Sequence, residues 1–288
     1  MGVLETKNLS YVYGAGTPFR MDAITDINIK IEKGERVGII GHTGSGKSTL
    51  VQHFNGLLKP ESGKVLLDGR DIWENPKQIR KIRFKVGLVF QYPEHQLFDE
   101  TVYKDIAFGP KNMGLSEAEI RERVGEAVEI VGLSKKLLEK SPFDLSGGEK
   151  RRAAIAGVIA MKPSVLVLDE PTAGLDPKGR DSILYNLKRY QEQAGTTMLL
   201  VSHSMEDVAK FAKRVLVMNK GRVAMFDTVP KIFQCADELS GMGLNIPQIT
   251  QVFIGLKKRG VPVKANVYTL EQAAKELASL KGGGTPGA

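Results

Sequence analysis

The chain has 288 residues, of which 42% are hydrophobic and 26% charged, a composition that is typical of a folded globular protein and excludes a disordered or fibrous chain. Its single cysteine, Cys235, excludes an intramolecular disulfide framework and a cysteine-rich metal site. The formal net charge of +8 favours an anionic partner but does not choose among nucleic acid, anionic lipid and anionic ligands.

The first forty residues have the pattern of short β-strands. Residues 27–31 alternate between apolar and polar side chains, and residues 36–40 form an apolar run, so each segment predicts a strand. Residues 64–67 predict a strand that enters a hairpin turn at 68–69. Residues 86–90 predict a further buried strand.

Helices and strands alternate in the middle of the chain. Residues 116–119 form a capping box that opens a helix, and Gly132 is the expected end of that helix. The apolar runs 165–168 and 198–201 each follow a helical stretch, which predicts a mostly parallel sheet covered by helices. A closing hairpin is expected at 215–225. The predicted fold class is therefore α/β.

The sequence changes character after about residue 235. Glycines and prolines separate two short helical patterns, and the final residues GGGTPGA are typical of disorder. We predict a main domain of residues 1–235, an extension of residues 236–280 and a disordered tail of residues 281–288. The longest uncharged apolar stretch, 153–161, is far shorter than the roughly 18 residues that span a bilayer. The N-terminus also lacks a secretory signal pattern, so we expect a soluble, intracellular protein.

Residues 41–48, GHTGSGKS, fit the phosphate-binding pattern G-x-x-x-x-G-K-[ST]. They follow the predicted strand 36–40 and precede a helical stretch, 49–58, which is the context that the motif requires. Backbone N–H groups of such a turn bind phosphate oxygens. Lys47 is placed to reach the β- and γ-phosphates, and the Ser48 hydroxyl to bind Mg²⁺. The predicted ATP-binding residues here are Gly41, His42, Thr43, Gly44, Ser45, Gly46, Lys47, Ser48 and Thr49.

The apolar strand 165–168 ends in two carboxylates, Asp169 and Glu170. A carboxylate at the end of a strand beside the phosphate-binding loop is suited to hold Mg²⁺, and we assign this role to Asp169. The adjacent Glu170 is the expected general base for the attacking water.

Residues 145–149, LSGGE, precede a predicted helix from Lys150 to Met161 and form a second anion-binding helix end. The residues that would contact the anion are Ser146, Gly147 and Gly148. One mononucleotide needs only one such end, so the second end predicts a nucleotide held by another subunit.

Over roughly residues 3–235 the chain resembles an ABC-type ATPase. The resemblance lies in an ordered set of motifs: GHTGSGKST at 41–49, Gln91 after an apolar strand, LSGGE at 145–149, LVLDEP at 166–171, AGLD at 173–176 and finally His203. The resemblance implies a mostly parallel core sheet, an N-terminal antiparallel β portion, a helical signature subdomain at about 95–160 and a small C-terminal extension. It also implies a head-to-tail dimer that holds two ATP molecules, each between the phosphate-binding loop of one chain and the Ser-Gly-Gly of the other.

The same resemblance implies roles for further residues. Gln91 would sense Mg²⁺ and the membrane partner, Asp176 would cross the dimer interface, and His203 would contact the γ-phosphate and the attacking water. The adenine ring is expected to stack on Tyr13, although Tyr11 has the same chemistry and stays an alternative. The predicted Mg²⁺ ligands are thus Ser48, Gln91 and Asp169, and the predicted catalytic pair is Glu170 and His203.

A narrower resemblance is visible in FQYPEHQLF at 90–98, IAFGPKN at 106–112, SPF at 141–143 and RRAAIAG at 151–157. These segments are similar to the ATPases of energy-coupling-factor importers for vitamins and transition-metal ions. The His-Thr pair at 42–43 resembles the second, or A-prime, of the two ATPase subunits of such systems.

This narrower family implies a peripheral protein at the cytoplasmic face of the cell membrane. Its expected partners are a second ATPase subunit or a second copy of the chain, a transmembrane T component and a substrate-binding S component. The extension 236–280 would serve dimerisation, and the transported solute stays open because another polypeptide selects it.

Two other functions agree less well with the sequence. A nucleic-acid-associated ABC ATPase fits the positive charge, but only residues 92–144 separate Gln91 from the signature, which leaves no space for a long coiled coil, and the chain has one cassette. We therefore expect no nucleic-acid partner. A degenerate regulatory subunit is disfavoured because Lys47, Asp169, Glu170 and His203 are all present.

Overall fold

The computed structural model describes residues 2–282. The strands are β1 (Gly2–Tyr13), β2 (Met21–Glu32), β3 (Arg36–Ile40), β4 (Ser62–Leu67), β5 (Arg70–Asp71), β6 (Val86–Val89), β7 (Val165–Asp169), β8 (Thr197–Val201), β9 (Arg214–Asn219) and β10 (Arg222–Thr228). The α-helices are α1 (Lys47–Phe54), α2 (Ile79–Lys85), α3 (Val102–Asn112), α4 (Glu117–Val131), α5 (Gly147–Ile159), α6 (Pro177–Ala194), α7 (Met205–Phe211), α8 (Val229–Gln234), α9 (Ala236–Gly241), α10 (Gln248–Lys258) and α11 (Leu270–Gly282).

Two sheets form the main part of the molecule. The larger has six strands in the order β10-β9-β3-β8-β7-β6, and all its pairs are parallel except the β9–β10 hairpin. The smaller is antiparallel and has the order β2-β1-β4-β5. The predicted α/β class, the mostly parallel core sheet and the N-terminal antiparallel portion are confirmed.

The N-terminal strands are longer than the short strands that the sequence predicted. β1 and β2 have 12 residues each and pair from Gly2 opposite Glu32 to Tyr13 opposite Met21. Their register shifts at several points, and one non-glycine residue on each strand, Asn8 and Asp26, has a positive φ. The prediction was wrong because such irregularities interrupt the apolar–polar alternation without ending the strand.

The parallel strands place four loops at one edge of the large sheet. Strands β3, β6, β7 and β8 are buried along their whole length. Their carboxyl ends lead respectively into the phosphate-binding loop, Gln91, the Asp169–Glu170 pair and His203. Open parallel sheets bind ligands at this edge because the strand ends diverge there.

A layer of helices covers one side of the large sheet. Helices α3, α4 and α5 share one apolar core with β7, β8 and α6. The predicted helix start at Ser116 and stop at Gly132 are confirmed, with a complete capping box at Ser116 and a left-handed Gly132. Helix α5 begins at Gly147, three residues before the predicted start at Lys150, because the Ser146 side chain caps it. Helix α1 ends at Phe54, four residues before the predicted end, and left-handed Gly56 follows it.

Helices α8 to α11 form the C-terminal part of the chain. Phe233, Leu239, Ile246 and Tyr268 share an apolar cluster with residues of β9 and α7, and Phe253 belongs to a separate cluster within the extension. Helix α11 continues through Gly282, so it overlaps the first two residues of the predicted tail, and the remaining tail residues lie outside the described part of the chain. Among residues 2–282 no helix is long and apolar enough to cross a membrane.

Candidate functional site

The phosphate-binding loop joins β3 to α1, as predicted, and its glycines are required by its geometry. Gly44 and Gly46 have φ values of 77° and 98°, where a side chain is strained. A Cβ on Gly41 would lie 2.4 Å from the Ser45 hydroxyl, and one on Gly46 would lie 2.7 Å from the Ala23 carbonyl. The tight turn leaves the N-terminus of α1 without a side-chain cap, so its N–H groups can bind an anion.

Lys47 lies inside this loop. Its ammonium donates hydrogen bonds to the carbonyls of Gly41 (2.7 Å) and His42 (3.0 Å), and the residue is only 6% exposed. Burial lowers the pKa of Lys47, although the nearby carboxylates of Glu170 and Asp169 oppose the shift. A buried cation so close to the loop's N–H groups reinforces the attraction for phosphate.

Ser48 and Asp169, two of the three predicted Mg²⁺ ligands, lie in contact with each other. The Ser48 hydroxyl donates to Asp169 Oδ2 at 3.3 Å, although the two residues are 121 positions apart. Burial raises the pKa of Asp169 above its usual value, while the Ser48 hydrogen bond and the Lys47 charge oppose that shift. The two side chains supply hard oxygen donors, which Mg²⁺ prefers.

The donor set fits a magnesium ion that is held together with a nucleotide. No group of three or more His, Cys, Asp or Glu side chains that could bind a metal ion occurs in residues 2–282. Mg²⁺ commonly takes one or two protein oxygens and completes its coordination with phosphate oxygens and water. Ser48 and Asp169 at the mouth of the phosphate-binding loop match that arrangement.

Glu170 occupies an unusual position next to this pair. It is 9% exposed, has a φ of 51°, and its Oε1 has no hydrogen-bond partner among the described residues. Burial, followed by repulsion from Asp169, raises its pKa to about 7. A carboxylate with a pKa near neutrality and an uncommitted oxygen has the properties of a general base.

His203 lies beside Glu170. The His203 Nε2 is 3.5 Å from Glu170 Oε1, and its side chain is 54% exposed. Partial burial and the Lys47 charge lower the pKa of His203, so its ring is neutral at pH 7. The ring therefore lies between the buried Glu170 carboxylate and solvent.

The two N-terminal tyrosines have different surroundings. Tyr11 contacts the rings of Tyr13 and His53 edge to face, each with centroids 4.9 Å apart, and packs on the apolar core. The Tyr13 hydroxyl lies 3.3 Å from the Thr49 hydroxyl on α1. Both tyrosines therefore contact α1, Tyr13 through its hydroxyl at Thr49 near the start of the helix and Tyr11 through ring packing on His53 near its end.

Gln91 lies two residues beyond β6, whose Val89 pairs with Leu168 just before Asp169. Its side chain is exposed and makes no hydrogen bond to any residue in 2–282. The sheet therefore brings Gln91 to the same edge as Asp169 without a direct contact between them.

The signature residues are not joined to the phosphate-binding loop. Ser146 and Gly147 are exposed at the start of α5, and no hydrogen bond or ion pair within residues 2–282 connects them to residues 41–49. Ser146 instead forms a capping box with Glu149, whose Oε2 accepts from the Ser146 hydroxyl at 2.6 Å. Asp176 is also exposed, and it caps α6 by accepting from the Gly179 N–H at 3.0 Å.

Two buried polar groups near the site were missed by the sequence analysis. The Arg151 guanidinium pairs with Glu94 at 2.6 and 3.0 Å and also donates to the Ala173 carbonyl. The Asp207 carboxylate accepts hydrogen bonds from Thr172 and from Arg180. The partners of each carboxylate lie 27 to 57 positions away from it, so no local spacing could have indicated them.

Comparison with known proteins gives the following matches. The ABC transporter family model matches residues 24–173. The energy-coupling factor transporter ATP-binding protein EcfA2 of Caldanaerobacter subterraneus is 54% identical over 95% of this chain and 96% of its own length, and that of Clostridium tetani is 55% identical over 96% of each.

Solved structures with a similar fold are also ABC-type ATP-binding subunits. Clostridium perfringens cbiO1, described as part of the ABC transporter complex cbiONQ, is 42% identical with a TM-score of 0.73, over 83% of this chain and 94% of that one. The ATP-binding cassette MJ0796, in a dimeric post-hydrolysis state bound to ADP and Pi, is 29% identical with a TM-score of 0.71, over 78% of this chain and 98% of that one.

Proposed function

Because the chain belongs to the ABC transporter family, within its energy-coupling-factor type, we propose a specific role for each residue of its site. The chain is the A-prime ATPase subunit of an energy-coupling-factor importer, and it hydrolyses ATP to drive transport. The observation that carries the proposed roles is the meeting of Ser48, Asp169, Glu170 and His203 around the phosphate-binding loop.

The loop residues 41–49 bind the phosphates of ATP. Their backbone N–H groups and the N-terminus of α1 contact phosphate oxygens, and Lys47 exchanges its carbonyl partners for the β- and γ-phosphates. Tyr13 stacks on the adenine ring, because Tyr11 is already packed between Tyr13 and His53.

Ser48 and Asp169 hold Mg²⁺, and Gln91 completes the set from the end of β6. The ion would supply positive charge there to offset the negative charge that develops on the phosphates. The exposed Gln91 side chain can rotate toward Asp169. Because the segment after Gln91 leads to the groove residues 96–98, contact with the membrane partner there would change the position of Gln91.

Glu170 removes a proton from the attacking water. Its uncommitted Oε1 accepts that proton, and the neutral His203 ring, 3.5 Å away, donates a hydrogen bond that orients the water and the γ-phosphate. A pKa of about 7 makes Glu170 more basic than an ordinary glutamate while a large share of it stays unprotonated and able to accept a proton at neutral pH.

The exposed residues Ser146, Gly147 and Asp176, together with the partly buried Gly148, complete the site of another subunit. The first three contact the ATP of the opposite chain, and Asp176 crosses the interface. The opposite chain is a second energy-coupling-factor ATPase subunit or a second copy of this chain, and the extension 236–280 strengthens the pairing.

A groove of about 400 Å³ receives the T component. It lies between α2, α3 and α5, and its rim carries Phe98 and Phe108, whose rings contact edge to face and are 62% and 49% exposed. Exposed aromatic rings beside Arg80 and Arg83 suit an amphipathic coupling helix. The complex, which includes an S component, sits at the cytoplasmic face of the membrane and imports a vitamin or a transition-metal ion.

The test is to purify Glu170→Gln and measure its ATP hydrolysis and its mass by sedimentation with and without Mg-ATP. We expect ATP binding to persist while turnover falls on the order of 10²–10⁴-fold, the usual contribution of a general base. A shift from monomer to dimer with Mg-ATP supports pairing of identical half-sites.

The outcomes separate the parts of the proposal. Bound ATP without a shift in mass assigns the second half-site to a different ATPase subunit. Hydrolysis at the wild-type rate removes Glu170 from the mechanism, and a failure to bind ATP removes the phosphate-binding role of residues 41–49.

A further inference from the structure

A buried carboxylate links the two loops that carry the catalytic residues. Asp207 lies on α7, four residues after His203, and is 3% exposed. The predicted mechanism gives it no role, and no residue pattern singled it out. Its two oxygens accept hydrogen bonds from two different elements, the loop after β7 and helix α6.

One oxygen is bonded to the loop that follows β7. The Thr172 hydroxyl donates to Asp207 Oδ2 at 2.8 Å, and Thr172 is 4% exposed and lies two residues after Glu170. This loop also begins the segment that reaches Asp176, so the bond holds the loop between the proposed base and the proposed interface residue.

The other oxygen is bonded to α6. Arg180 Nη2 donates to Asp207 Oδ1 at 3.0 Å and to the Ser204 hydroxyl at 2.9 Å. Ser204 directly follows His203 and also caps α7 by accepting from the Asp207 N–H at 3.2 Å. Asp207 is therefore connected to the loop that follows Glu170 through Thr172, and to Ser204, which follows His203, through its own N–H and through Arg180.

Glu170 needs such support because its backbone is strained. A non-glycine residue with a φ of 51° persists only where the surrounding structure holds it. The Glu170 N–H donates to the Val201 carbonyl at 3.0 Å, which fixes its amino side. On its carboxyl side the loop is held by local turn bonds, by the Arg151 guanidinium, which donates to the Ala173 carbonyl, and by the Thr172–Asp207 contact.

We propose that Asp207 is a positioning residue for ATP hydrolysis, which sets the geometry of Glu170 relative to His203 by binding Thr172 and Arg180 together. This inference rests on the proposed role of Glu170 as general base. A small displacement of a catalytic group costs up to about 100-fold in rate, whereas the phosphate-binding loop is on a different strand and keeps its affinity.

The experiment compares Asp207→Ala, Asp207→Asn and Thr172→Val in the assembled ATPase dimer. Glu170→Gln serves as the reference for turnover without the general base. We expect Asp207→Ala to lower kcat about 100-fold and Thr172→Val about 10-fold, each with the KM for ATP within about twofold of wild type. Asparagine can accept from Arg180 and donate to Thr172, so Asp207→Asn should recover at least about tenfold in kcat over Asp207→Ala.

A matched control lies on the same two helices. Asp181 on α6 pairs with Lys210 on α7 at 2.7 Å, but both side chains are exposed, and Asp181→Asn should leave kcat unchanged. If Asp207→Ala does not fold, the kcat of Thr172→Val tests the proposal instead. Valine has nearly the volume of threonine, so this variant removes the hydrogen bond to Asp207 without leaving a cavity.

Three results would count against the proposal or its premise. Wild-type kcat in both Thr172→Val and Asp207→Ala overturns it. A parallel loss of kcat, ATP affinity and melting temperature, with asparagine no better than alanine, also overturns it by showing a purely structural role. Wild-type turnover in Glu170→Gln instead overturns the proposed function, and the two failures are thereby distinguished.

Discussion

The N-termini of α1 and α5 are both preceded by glycine- and serine-containing segments, but they have opposite surroundings. The first has no side-chain cap, encloses the buried Lys47 and lies against Asp169 through Ser48. The second is exposed, is capped by Ser146, and is closed by the Glu149 carboxylate. One end therefore has the properties of a nucleotide half-site within the chain, and the other has the properties of a surface offered to another subunit.

The largest expected effect tests the exposed end. A Cβ added to Gly147 meets nothing within 4 Å, so Gly147→Asp should fold normally, and an acidic residue at this position favours the helix. A carboxylate facing phosphates of the opposite subunit costs several kcal/mol, so we expect ATP-dependent dimerisation to weaken more than about 100-fold. Sedimentation in a Glu170→Gln background measures this change.

The matched control is Gly125→Asp in α4, where an added Cβ also meets nothing within 4 Å. It adds the same charge away from the signature and should leave the dimer intact. Equal dimerisation of both variants would show that the N-terminus of α5 does not face nucleotide.

The next largest effect concerns the Glu94–Arg151 ion pair, whose arginine lies on α5. Burial favours the neutral form of Glu94, but hydrogen bonds from Arg151 outweigh it and the pKa of Glu94 lies below its usual value. Arg151→Met leaves this half-buried carboxylate unpaired and should lower the free energy of unfolding by about 3 kcal/mol. Urea denaturation measures the loss.

For comparison, Lys135→Met breaks an exposed pair with Glu129 and should change the unfolding free energy by less than about 0.5 kcal/mol. Equal stability of the two variants would contradict the importance of burial for the Glu94–Arg151 pair.

A third prediction tests the internal end. Lys47→Ala removes a charge-assisted contact to phosphate, worth roughly 1.5–3 kcal/mol, and should weaken ATP binding by the single chain about 10–100-fold. Calorimetric titration with ATP measures it. Gly147→Asp should bind ATP normally in the same assay, and a similar loss in both variants would remove the distinction between the two helix ends.

The smallest effect is a pH dependence of stability. His53 on α1 is fully buried, its Nδ1 lies 2.7 Å from the Thr49 carbonyl, and burial lowers its pKa. The unfolded chain takes up a proton near the ordinary histidine pKa of about 6.5, before the folded chain does, so stability falls as the pH drops below that value. We therefore expect this residue to contribute a loss of stability between pH 7 and pH 5.

His53→Asn, which keeps a donor toward Thr49, should remove that part of the pH slope in thermal unfolding, whatever its effect on stability at pH 7. An unchanged slope would show that His53 accepts its proton without cost in the folded chain.

Local sequence determined the parts of this protein that depend on short segments. The phosphate-binding loop, the strand ending in Asp169 and Glu170 and the capping box at Ser116 were all predicted at their observed positions, because each is a backbone conformation specified by a few consecutive residues. The order of these motifs along the chain was also sufficient to identify the ABC-type ATPase family.

The tertiary structure alone decided which side chains meet. It placed the Tyr13 hydroxyl beside Thr49 and the Tyr11 ring against His53, started α5 at Gly147, joined Glu94 to Arg151, and brought Asp207 to Thr172. Each long-range contact depends on how separate elements pack against one another. No local pattern encodes that packing, since burial and the energies of the buried charges exist only after the elements have come together.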